Sequence, residues 1–122
     1  MEKKNIDWEN IGFGYIPTDK RFVANYKDGA WDEGGLTEDP NIVMNECAGV
    51  LQYAQTVFEG MKAYTTEDGH IVTFRPDLNA KRMVDSAKRL EMPPFPEDKF
   101  VDAIVQTVNC LLYTSDAADD SL

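Results

Sequence analysis

The sequence predicts an α+β fold, a mostly antiparallel sheet with helices packed on one face. Three observations predict it. Aromatic and β-branched runs with turn signals between them fill the first part of the chain, and two amphipathic runs of helical period fill the last. Between them, Asp68-Gly69 joins two short apolar runs in the manner of a tight hairpin. Prolines at 76, 93, 94 and 96 then punctuate the change of period. The length of 122 residues allows one small domain, and 43% hydrophobic and 11% aromatic residues allow it a core.

In chain order, residues 1–10 read as a flexible, charged lead-in. Ile11, Phe13, Tyr15 and Ile16, and then Phe22, Val23 and Tyr26, suggest two short strands separated by Pro17-Thr18-Asp19-Lys20. The acidic, Gly-rich stretch Trp31–Pro40 reads as an exposed loop. A short buried helical turn is expected around Ala54–Phe58, with Gly60 turning the chain sharply into a strand. Met61–Thr66 and His70–Arg75 are the expected hairpin strands. After Pro76, the spacing of Ala80, Met83, Val84, Ala87 and Leu90 predicts a helix. Asp77 suits its start, and Lys88 and Arg89 suit its end. A second helix is expected from Glu97, with Phe100, Val101, Ile104, Val105 and Val108 on one face.

The helical pattern is expected to stop at Asn109. Cys110–Ser115 back-translates as TGT CTC TTA TAC ACA TCT, the end sequence of a common transposon-derived sequencing adapter. Residues 110–122 are therefore expected to be a non-native tail, which leaves 11–109 as the domain.

Composition excludes several functions. Twelve basic and 22 acidic residues give a net charge of −10, which repels phosphate backbones and argues against nucleic-acid binding. No apolar run reaches the length of a membrane helix, and the polar N-terminus lacks a secretory pattern, so the expected compartment is the cytoplasm. Cys47 and Cys110 fit no redox or ligand spacing, and with His70 the lone histidine no metal site is expected.

The most informative stretch is Leu51–Leu90. It contains Tyr53, the run Phe58-Glu59-Gly60-Met61-Lys62-Ala63-Tyr64, the run Phe74-Arg75-Pro76, and Asn79-Ala80-Lys81-Arg82-Met83. Together with Phe13-Gly14-Tyr15 and Thr18-Asp19 upstream, it resembles the branched-chain amino acid aminotransferases, class IV enzymes that use pyridoxal 5'-phosphate. The resemblance implies the small N-terminal domain of such an enzyme, with the family's full length near three times this one. It implies a homodimer acting on branched-chain amino acids and 2-oxo acids. It also implies that the Schiff-base lysine comes from a later domain, so this chain is expected to be inactive by itself. An isolated domain of this kind is expected to expose an apolar face that invites aggregation. A D-amino acid aminotransferase, an aminodeoxychorismate lyase and a non-catalytic small-molecule binding module are the alternatives.

A helix arginine is ordinarily a solvated one. Within the Asn79-x-x-Arg82-Met83 frame, the resemblance makes Arg82 the cofactor-binding residue. Its planar fork of donors matches phosphate oxygens and keeps its charge at working pH. For Tyr53 and Phe58 the residues leave two readings open, core aromatics or walls of an aliphatic pocket; the resemblance assigns them to substrate binding. Glu59 is expected to orient its loop by hydrogen bonds, with no acid–base role. Tyr64 and Phe74 read as packing residues of the hairpin, and His70 as an exposed turn residue. Lys62 is read as a strand residue and is rejected as the Schiff-base lysine, because no partner acid accompanies it.

Overall fold

The computed structural model describes residues 7–10 and 12–111. Within the lead-in, Trp8–Asn10 form a 3-10 turn, in which the Asn10 amide donates to Asp7 O at 3.3 Å. Residues 1–6 and Ile11 lie outside the described residues. The strand expected over 11–16 does not form: residues 12–17 carry no strand, Gly12 has φ +55°, and Phe13 and Tyr15 are exposed.

Strand pairing begins instead at Arg21. The first strands are β1 (Arg21–Val23), β2 (Tyr26–Lys27), β3 (Ala30–Trp31) and β4 (Gly35–Thr37). β2 and β3 form a small antiparallel hairpin, while β1 pairs with β4 in the register Arg21↔Thr37, Phe22↔Leu36, Val23↔Gly35. The stretch expected to be an exposed loop thus contributes a strand. Two local devices explain it. Asp32 accepts the amides of Asn25 and Gly34 through one carboxylate oxygen, each at 3.0 Å, which tightens the turn. Gly34 has φ +69°, and a Cβ there would meet the Phe22 ring at 2.7 Å and Val23 O at 3.0 Å, so only glycine lets β4 fold back this closely. Arg21 ties down the far end, donating to Asp39 O at 2.7 Å and to Asn41 O at 2.6 Å.

The helical turn expected at Ala54–Phe58 lies earlier. α1 (Gly49–Tyr53) is short and has no buried residue, and Ala54, at φ 50° and ψ 34°, closes it in the left-handed region. The turn of direction therefore falls at Ala54; Gly60 is not among the positive-φ residues. The hairpin forms as expected but shorter, from β5 (Ala63–Thr65) and β6 (Ile71–Thr73), with Tyr64 opposite Val72 and Gly69 at φ +87°.

α2 (Pro76–Arg89) and α3 (Glu97–Leu111) match the predicted periodicities. α2 has Pro at its start, Asp77 in its first turn, and Lys88 and Arg89 in its last. Ala80 and Ala87 are buried, and Met83 and Val84 are half-buried on the same stripe of α2. Leu90 and Val105, expected on the apolar faces, are largely exposed. α3 runs two residues beyond Asn109, through Cys110 and Leu111; the remainder of the tail lies outside the described residues.

The class is α+β with antiparallel pairing, as expected. Among the described residues the strands form three separate two-stranded pieces, not one sheet. α3 packs against α2 on one side and against β1 and β4 on the other. The hydrophobic residues in the buried class are Ala80 and Ala87, whereas Ile42, Val43, Met44, Leu51, Tyr53, Phe58 and Phe74 stay exposed. No helix among the described residues is long and apolar enough to cross a membrane.

Candidate functional site

The coil between α1 and β5 runs alongside the first turns of α2, and three polar side chains join them. Asn79 and Arg82 lie three apart on α2 and so share a face. Both reach Glu59. Arg82 donates from Nε to Oε1 at 2.5 Å and from Nη2 to Oε2 at 2.8 Å, a bidentate fork. Asn79 Nδ2 donates to Glu59 Oε2 at 2.8 Å and to Gly60 O at 3.1 Å.

The two ends of this ion pair differ in exposure. The Glu59 side chain is 6% exposed and that of Arg82 is 69% exposed. The hydrogen bonds from Arg82, aided by that from Asn79 and opposed by burial, hold the Glu59 carboxyl below its ordinary range. The Glu59 bonds in turn raise the already high pKa of Arg82. Glu59 is thus a permanent acceptor at neutral pH, in line with an orienting role. Arg82 spends the Nε–Nη2 edge of its guanidinium on Glu59, and with its side chain 69% exposed this leaves the Nη1 edge for other partners. That edge can take a tetrahedral oxyanion by hydrogen bonding. The pair as a whole is neutral, so further donors for a phosphate must come from other groups.

The other expected residues fall around this cluster without joining it. Phe58 immediately precedes Glu59, is 88% exposed, and covers Gly60, where a Cβ would lie 3.5 Å from its ring. Tyr53 ends α1 and is 85% exposed. Neither aromatic is buried among the described residues, which leaves both rings able to meet a ligand or another part of the protein. No hydrogen bond or ring contact links either one to Arg82 among the described residues. Lys62 is exposed and precedes β5, so it does not lie on a strand as expected. Tyr64 is half-buried, but Phe74 is 85% exposed, against the packing role expected of it. His70 is exposed in the hairpin turn beside Asp68, at 3.6 Å. Cys47 is exposed and Cys110 half-buried, both as free thiols. No cluster of potential metal ligands occurs among the described residues.

A separate apolar cavity of about 490 Å³ is lined chiefly by Phe22, Trp31, Met61, Met83, Phe95 and Phe100. Neither Tyr53, Phe58 nor Arg82 lines it. No charged side chain lines it to receive a carboxylate or phosphate. It reads as an incompletely filled core, not as a substrate site. Sequence reasoning missed the Asn79–Glu59 and Arg82–Glu59 bonds; the signal available was the i, i+3 spacing of Asn79 and Arg82 on a predicted helix.

No protein-family model matches the chain. Curated relatives do. The branched-chain-amino-acid aminotransferase of Haemophilus influenzae is 50% identical over 105 residues, 86% of this chain and 31% of the relative. That of Helicobacter pylori is 44% identical over 105 residues, with the same coverage. A methionine aminotransferase of Arabidopsis thaliana is 45% identical over 103 residues, 84% of this chain and 29% of the relative. The chain thus spans less than a third of the length of these relatives. Along 86% of its own length it is a homologue of the branched-chain-amino-acid aminotransferases.

Proposed function

We propose that the chain carries the phosphate-holding side of a pyridoxal-phosphate-dependent transaminase, one that moves the amino group of L-leucine, L-isoleucine or L-valine to 2-oxoglutarate and back. The observation that supports this most directly is the fixed, outward guanidinium of Arg82, in a stretch shared with relatives of that name. Bound pyridoxal phosphate supplies an electron sink for the substrate carbon that loses its proton. The residues of this chain hold and shape. Arg82 receives phosphate oxygens on its free edge, and Glu59 and Asn79 keep that edge turned outward. Phe58 and Tyr53 offer flat apolar surface for an aliphatic side chain.

The same reading takes the cofactor-carrying lysine from polypeptide outside this chain, which by itself does not transaminate. It also takes a cytoplasmic homodimer as the working form. A second reading widens the substrate class to thioether side chains, because one relative is named for methionine. A methionine side chain and a leucine side chain differ little in apolar bulk.

The test is made in the protein completed to the length of its relatives. Arg82→Ala should lower cofactor retention after dialysis; unchanged retention would reject the phosphate role. Phe58→Ala should alter preference among leucine, valine and methionine more than it alters cofactor binding. Equal losses on every substrate would return Phe58 to a structural role.

A further inference from the structure

We infer that Glu59, seconded by Asn79, is a positioning residue that pre-orders the Arg82 guanidinium for a phosphate monoester. The inference rests on the phosphate reading of Arg82 given above. Three features of the cluster carry it.

The ion pair is asymmetric, with Glu59 inside and Arg82 outside. A surface pair formed for its own sake would leave both ends in water. Here the carboxylate is an internal fixture and the guanidinium is the working end.

The two bonds from Arg82 run to the two oxygens of one carboxylate, so they fix the plane of the guanidinium as well as its place. A free arginine side chain has much rotamer freedom to lose on binding. Losing it in advance removes that cost from ligand binding.

Glu59 sits on coil, which has no ladder to hold it. Asn79 supplies the hold, one amide nitrogen bridging the carboxylate and the Gly60 carbonyl. Because Asn79 and Arg82 belong to the same helix, α2 grips both sides of Glu59 and sets the fork relative to its own axis.

The probes are pyridoxal 5'-phosphate and pyridoxal, which lacks the phosphate, bound to the full-length protein and followed by absorbance. Glu59→Gln keeps the shape of the side chain and removes its charge. It should lower affinity for pyridoxal 5'-phosphate about tenfold and leave pyridoxal nearly unchanged. Asn79→Ala should act in the same direction, and Glu59→Asp, which shortens the arm but keeps the fork, should restore part of the loss. Adding Glu59→Gln to Arg82→Ala should change nothing more.

Equal losses for both probes would mark Glu59 as merely structural and overturn the inference. If Arg82→Ala reduces the preference for the phosphorylated probe but Glu59→Gln does not, the positioning role fails while the phosphate reading stands. If Arg82→Ala leaves the preference intact, the phosphate reading itself falls, and the inference falls with it.

Discussion

Two clasps join the first half of this chain to its helical part, one on α2 and one on the α2–α3 connection, and they work by opposite physics. One is polar: Glu59 on coil, gripped by Asn79 and Arg82 of α2. The other is aromatic. Trp31 at the end of β3 stacks edge-on between Tyr26, at 5.3 Å, and Phe95, at 5.0 Å, and its indole N–H donates to Pro94 O at 3.0 Å. The aromatic clasp spans 63 residues and works through buried ring area, with one directed bond to fix its register. The polar clasp spans 23 residues to Arg82 and works through direction, with little area. In a domain whose buried hydrophobic class is Ala80 and Ala87, the aromatic contact supplies cohesion and the polar contact supplies aim. A site that must present one guanidinium in one orientation needs the second kind; a fold with an underfilled core needs the first.

Breaking the aromatic clasp should have the largest effect on stability. Trp31→Ala is expected to cost about 3 kcal/mol, toward the low end for a large aromatic because Trp31 is only half-buried. Urea unfolding of the chain followed by circular dichroism measures it. A loss below about 1 kcal/mol, the size of one hydrogen bond, would mean that the rings contribute nothing and only the Pro94 contact counts.

Next in size is Ala80→Leu, which puts bulk on the buried face of α2. Ala80 is 1% exposed, and overpacking there should cost about 1–3 kcal/mol by the same measurement. The substitution should also tilt the helix face that carries Asn79 and Arg82. It would therefore couple the two clasps, and phosphate-dependent cofactor preference should fall along with stability. Lost stability with unchanged preference would show that the polar clasp is independent of helix packing.

The smallest expected effect separates the clasps by pH. Glu59 is held below its ordinary value of 4.5, chiefly by the Arg82 hydrogen bonds. A lowered folded pKa adds stability that is present above the unfolded value and lost as pH falls through the folded one. The polar clasp should therefore stay closed down to pH 4.5 and open below it, while the Trp31 contacts, which involve no carboxylate, persist. Carbon-13 shifts of the Glu59 carboxyl would follow the transition. A midpoint at or above 4.5 would contradict the clasp.

The helices and the hairpin are legible in the sequence. Their signals are local: apolar residues at three and four, prolines at both boundaries, and Asp-Gly in the turn. Each is decided within one or two turns of chain, where sequence distance and spatial distance agree. The β1–β4 pairing was not legible. Its strands are three residues each, the second lies in a stretch rich in acids and glycine, and what pairs them is a turn conformation at Gly34 and long-range bonds from Arg21. The expected strand at 11–16 failed for the converse reason, since apolar residues at alternate positions form a strand only where a partner edge exists.

The candidate site divides along the same line. The sequence by itself determined that Arg82 lies on a helix and that Glu59 directly follows an aromatic, and its family resemblance implies a phosphate role for Arg82. Only the tertiary structure decided that Glu59 is the buried partner, that Asn79 anchors it, and that Tyr53 and Phe58 face outward. Helix and turn formation depend on neighbours in sequence. Which carboxylate an arginine finds, and which of the two is left in water, depends on how two distant segments pack, and spacing along the chain does not encode that distance.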